Sequence, residues 1–171
     1  MIYSGKHMAA SFRTVRKNTI QIAEDIPEEQ YSFRATPDVR SVAEMFAHIA
    51  ASTSWAMQVH GAERKSHVGF EDWSSYRQAG EAQERSLSTK ADIVDALRKN
   101  GEEFASLLDD MPDEQLAEEV SFPPPIQPPC RTRLEMLLGN KEHEMHHRGQ
   151  LMLIERLLGI VPHLSRARAG R

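Results

Sequence analysis

Four stretches of this chain repeat apolar residues every three or four positions, and that spacing constrains the fold more than any other feature. The first runs from about Met8 to Asp25, with Phe12, Val15, Thr19, Ile22 and Ile26 in step, and Pro27 closes it. The second opens at Ser41, where Glu44 three residues on makes a capping box. It runs through VAEMFAHIAASTSWAMQV and stops at Gly61. The third starts after Ser88 or Thr89, carries Ile93, Leu97, Phe104, Leu107 and Leu108, and ends before Pro112. The fourth spans about Thr132 to Leu158, with Gly159 and Pro162 as stop signals. Aromatic residues are few and β-branched runs scarce, which argues against an all-β fold. The expectation is an all-α protein, an antiparallel four-helix bundle.

The links are less regular. Residues 62–87 are polar with scattered aromatics and read as a loop that could hold a short helix. The stretch SFPPPIQPPC has five prolines in ten residues, which predicts a stiff extended connector before the last helix. A length of 171 residues suits one domain over 1–171. The net charge of −4 gives no reason to expect a nucleic-acid partner. Cys130 stands alone, so no internal disulfide is expected. No apolar run approaches the roughly 20 residues that span a bilayer, so no membrane partner is expected. The N-terminus lacks a secretory h-region, which makes the cytoplasm the expected location.

Ligand sites in bundles lie between facing helices, on inward side chains. On the fourth helix, Met136, Asn140, His143, His147, Gln150, Ile154 and Leu158 share a face that is apolar at both ends and polar in the middle. His143 and His147 sit one turn apart on it, and His146 points off that line. On the second helix, Met45, His48, Ile49, Ser52, Trp55, Ala56 and Val59 form a matching side. His48 alone reads as a core histidine with one hydrogen bond, and the His143–His147 pair alone as a surface or core pair. Together they would bury three imidazoles among apolar neighbours, and a shared metal ion would satisfy all three at once. Zinc, nickel or another divalent ion suits such a ligand set, and three ligands with an open position describe a catalytic site. Glu44 and Gln150 are candidates to orient a ligand ring, and Trp55 either lines the pocket mouth or packs in the core.

The same letters contain H-E-x-x-H, the signature of zinc peptidases, with Glu144 in the position of the base. The longer peptidase form needs glycine at 150 and histidine at 153, where this chain has Gln150 and Leu153. Glu155 is turned away from the histidine pair. A di-iron site needs a second Glu-x-x-His pair, and Glu44 stands four residues before His48 instead of three. Glu144 and His146 are therefore read as incidental. Arg148 is a partner for Glu44 or Glu144, or a dimer-surface residue.

The stretches YSFRATPDVRSVAEMFAHIA and HEMHHRGQLMLIERLLGI resemble the DinB family of metal-binding four-helix proteins. His48 occupies the family's second-helix histidine. His143 and His147, followed by Arg148, Gly149 and Gln150, match its H-x-x-x-H-R-G-Q pattern. The resemblance implies a bundle with the DinB order of helices, a three-histidine divalent-metal site, a homodimer and a small-molecule substrate. It includes transferases and isomerases that use a low-molecular-weight thiol, and members without assigned activity. Three functional readings follow. The first is a metal-dependent enzyme activating a bound thiol or water in thiol-dependent transfer or isomerisation. The second is a metal-dependent hydrolase, and the third a non-catalytic metal or small-molecule binding protein.

Overall fold

The computed structural model describes residues 3–169. It contains α1 (Gly5–Asp25), α2 (Val42–Ala51), a short α3 (Ser54–Ala56) running into a π-helical turn (Met57–Ala62), and α4 (Phe70–Ser86). These are followed by α5 (Lys90–Asp110), α6 (Asp113–Leu116), β1 (Glu119–Ser121), β2 (Cys130–Thr132), α7 (Arg133–Leu157) and α8 (His163–Ala169). The four expected helical segments appear as α1, α2 with its continuation, α5 and α7. Ser41, Thr89 and Thr132 each accept the backbone N–H three residues on, and Glu44, Asp92 and Glu135 reach back to close the box.

α1 lies along α5 and α7, and α2 packs on α5, α4 and α7. One apolar cluster joins Ile22, Phe46, Ile49, Ile93, Leu97 and Leu151. The other joins Phe12, Ala56, Phe104, Leu108 and Leu137, with Phe12 edge-on to Phe104 at 4.8 Å. Each such side chain, fully buried, contributes about 1.5–3 kcal/mol. Along α1, Arg16 falls between the two clusters. Its Nε donates to both Glu144 oxygens at 2.9 and 3.0 Å, and its Nη1 donates to the Leu97 carbonyl at 2.7 Å. Gly101 makes room for it, because a Cβ there would lie 2.7 Å from Arg16 Cγ. Glu144 is thus the buried partner that ties α7 to α1, and the expectation that it is incidental is corrected.

Three links differ from expectation. Residues 70–86 form a 17-residue helix where the sequence reads as a loop. None of its residues is fully buried, and its inner stripe of Trp73, Tyr76, Gly80, Gln83 and Glu84 is too polar to register as apolar periodicity. The second helix is not continuous. Ser52 Oγ donates to the Ile49 carbonyl at 2.8 Å, competing with the helical ladder, and the chain restarts as α3 and the π turn. The proline-rich connector does not run straight. It is the loop of an antiparallel ribbon in which Val120 pairs with Arg131, and the Pro124–Pro125 and Gln127–Pro128 bonds are cis. Val120 is buried against Val59, Val68 and Met136. The fold therefore brings the connector back over the N-terminal turns of α7.

Candidate metal centre

α2 presents His48 toward α7, where the four-residue spacing of His143 and His147 stacks two imidazoles on one face. The three rings meet edge to face, with centroids 4.5–5.0 Å apart. His143 Nε2 lies 3.0 Å from His48 Nε2 and 3.1 Å from His147 Nε2. The three ligand atoms lie within 4.8 Å of one another, so this group could hold a metal ion. His146 is exposed and stands outside the group.

The outer nitrogens decide what the inner ones can do. His48 Nδ1 donates to Glu84 Oε1 at 2.8 Å, and His147 Nδ1 donates to Gln150 Oε1 at 2.8 Å. A neutral imidazole carries one N–H, so both rings turn bare Nε2 lone pairs inward. His143 Nε2 can donate to only one of them. At least one lone-pair-to-lone-pair contact is therefore left, and a cation relieves it. Burial discourages His143 and His147 from supplying that charge themselves. The pKa of His143 is pushed down to about 4, by burial first and then by its imidazole neighbours. Burial also lowers the pKa of His147, against a raising effect of Gln150. In a tetrahedral zinc site the ligand nitrogens stand about 3.3 Å apart, given Zn–N distances of about 2.0–2.1 Å, so the cluster fits the ion with small adjustment.

Glu84 is the residue that sequence reasoning missed. It comes from α4, whose helical character is itself hidden by its polar inner face. Ser54 Oγ, donating to Gln83 Oε1 at 2.7 Å, helps seat that face on the second helix segment. The structure does not bring Glu44 to the histidines. Its Oε1 accepts from Arg34 and its Oε2 accepts from the Ser41 backbone, because the capping box claims a glutamate at that position. With Glu44 held by Arg34 and Glu144 by Arg16, neither carboxylate is Arg148's partner. Gln150 does touch His147, and Trp55 does line the pocket.

Two cavities open beside His48. One, of about 410 Å³, runs over His143, Asn140 and Met136 to Phe122 and Arg131 of the proline-rich ribbon. The other, of about 360 Å³, runs over Tyr76, Arg77 and Glu84 of α4. Trp55 and Trp73, with ring centroids 5.2 Å apart, line both. Among the residues lining the first cavity the one carboxylate is Glu135, already bonded to the Thr132 backbone and hydroxyl.

The DinB superfamily profile matches residues 11–151, from α1 to beyond the histidine pair. The chain belongs to the DinB superfamily. No curated protein matches it in sequence. Its fold is similar to a DinB-like protein from Bacillus cereus, with a TM-score of 0.71 and 18% identity over 95% of this chain and 97% of that one. It is also similar to a DinB-like protein from Bacillus subtilis, with a TM-score of 0.66 and 23% identity over 89% and 91%. At these identities the likeness establishes the DinB fold and nothing finer. No helix among the described residues is long and apolar enough to cross a membrane.

Proposed function

We propose that this DinB protein is a metal-dependent enzyme in which His48, His143 and His147 hold a divalent ion, zinc or nickel, and that a small thiol is activated beside it for transfer or isomerisation. The observation that carries this reading is the inward convergence of three imidazole Nε2 atoms, two with tautomers set from outside by Glu84 and Gln150. A bound divalent ion would supply a Lewis acid and lower the pKa of a thiol or water next to it. The chain's own residues orient the rings, line the approach with Trp55 and Trp73, and leave the cavity side of the cluster open. Glu135 is bonded through Oε2 in a helix cap, and Glu81 and Glu84 of the second cavity are paired with Arg77, Arg85 and His48, so neither cavity offers an unpaired carboxylate as general base. That favours a nucleophile which ionises readily, a thiol, over the hydrolytic reading.

Metal analysis of wild type and His147→Ala by mass spectrometry tests the ligand set. Stoichiometric metal in the wild type and little in the variant is expected, and equal metal in both overturns the assignment. Titration of cobalt-loaded protein with small thiols should raise a sulfur-to-cobalt charge-transfer band. Its absence with every thiol removes the basis of the transfer reading and leaves hydrolysis or simple binding. The same reading has the protein work as a cytoplasmic homodimer. Leu153 and Leu157, apolar and exposed on the outer side of α7, suit a second copy, and light scattering gives the mass that decides it.

A further inference from the structure

Asn140 lies on α7 one turn before His143 and lines the larger cavity with it. The residue is only 4% exposed, and its Nδ2 is buried with no hydrogen-bond partner. A buried amide NH2 without an acceptor is destabilising by about 1–3 kcal/mol, so an unpaired one asks what it is for. As placed, the Nδ2 is sealed from the cavity and the Oδ1 is the accessible atom; turning the amide by half a rotation exchanges the two and puts the donor on the cavity side at no steric cost. The protein's own polar groups do not meet it. Glu135 is held by the Thr132 cap, and the inner nitrogens of the histidines face one another. The remaining walls are Trp55, Trp73, Phe122, Met136 and Gly139, which stack or pack and accept nothing strong, with Arg131, itself a donor, and Ser52, whose hydroxyl hydrogen goes to the Ile49 carbonyl.

We propose that Asn140 is a positioning residue for the substrate: its amide donates to a carbonyl or carboxylate oxygen of a small molecule whose head sits at the histidine cluster and whose apolar body lies along Trp55, Trp73 and Phe122. This rests on the reading that the three histidines hold a metal. The oxygen falls near the head, because Asn140 and His143 are neighbours on one helix face. The body is apolar and flat for the same reason that the cavity wall is aromatic. The substrate class is thus an aryl compound with an oxygen acceptor a few bonds from its metal-binding atom.

Two matched probes separate this role from a structural one. N-benzyl-3-mercaptopropanamide carries a thiol head, an amide carbonyl and an aromatic body, and 5-phenylpentane-1-thiol has the same chain length without the amide. Each is titrated into cobalt-loaded wild type, Asn140→Ala and the near-isosteric Asn140→Leu, following the charge-transfer band. The amide probe should bind wild type about tenfold more tightly than the hydrocarbon probe, as for one buried hydrogen bond. That preference should vanish in both variants, with cobalt content and thermal midpoint retained in at least one. Trp73→Ala should weaken both probes alike. Equal affinities in wild type, or an equal loss for both probes on changing Asn140, overturns the proposal. If cobalt binds and neither probe gives a band, the two-point anchoring falls while the metal assignment stands. If no cobalt binds, the metal reading fails and this inference with it.

Discussion

His143 and Glu144 are consecutive on α7, and they belong to opposite kinds of polar site. Glu144 is 1% exposed and fully answered: the Arg16 guanidinium meets both its oxygens and then bonds the Leu97 carbonyl. His143 faces two other histidines across contacts that cannot all be hydrogen bonds, with a cavity on its open side. One site is closed and neutral, and its chemistry is complete within the chain. The other is electron-rich and could hold a cation. A 100° turn of the helix separates a structural ion pair from a candidate metal centre. The difference lies in what the neighbouring helices put opposite.

Breaking the closed site should cost most. Glu144→Ala leaves the Arg16 guanidinium buried without its counter-charge, and a loss of about 3–5 kcal/mol is expected in urea unfolding. Replacing both partners by Leu and Met should cost clearly less than either single change. If the singles cost no more than the double, the pair is not the tie described. Glu155 shows what a buried carboxyl on the same helix does without a cation bonded to it. It is fully buried, neither oxygen has a partner, and burial, with Asp25 adding to it, pushes its pKa up to about 7. The folded chain therefore holds a proton that the unfolded chain, titrating near 4.5, releases. Stability should fall as pH rises from 4.5 through 7, by on the order of 3 kcal/mol. Glu155→Gln should flatten that slope in unfolding measured at pH 5 and pH 8. An unchanged slope would mean that Glu155 ionises freely.

The open site should respond to smaller changes, and in metal affinity before stability. Glu84→Gln keeps a partner on His48 Nδ1 and removes the carboxylate. A drop of about 10–100-fold in zinc affinity is expected by competition with a chelator, with the apo-protein's thermal midpoint unchanged. Smallest of all is the stability effect of His48→Leu in metal-free protein. It gives up the partly exposed bond to Glu84 together with one strained imidazole contact, gains apolar packing, and should shift unfolding by about 1 kcal/mol or less. The protection that added zinc gives the wild type should be lost with it. A large destabilisation of the metal-free variant would show that the histidines hold the bundle together as Glu144 does, and the contrast between the two sites would collapse.

Legibility followed the same division. The four bundle helices could be read because their inward residues are apolar and recur at helical spacing, with a Ser or Thr cap opening three of them. The histidine positions could be read because three imidazoles on otherwise apolar faces stand out. α4 could not, since its inner stripe carries Gly80, Gln83 and Glu84, and such residues look alike whether they face water or a site. Glu44 looked like His48's carboxylate from its spacing of one turn, but the capping box and Arg34 hold it elsewhere. Arg16 and Glu144 are 128 residues apart, and no local pattern announces such a pair.

By itself the sequence determined the bounds of the first, third and last bundle helices and the start of the second, the all-α class, and the four-residue step that puts His143 over His147. These are properties of short segments, set by backbone capping and by the 3.6-residue turn. Only the tertiary structure decided that Glu84 is the acid on His48, that Glu144 is spoken for by Arg16, and that Asn140 is left with a donor and a cavity. A polar side chain's role depends on the atom it meets. That atom comes from another helix, at a distance along the chain that periodicity does not encode.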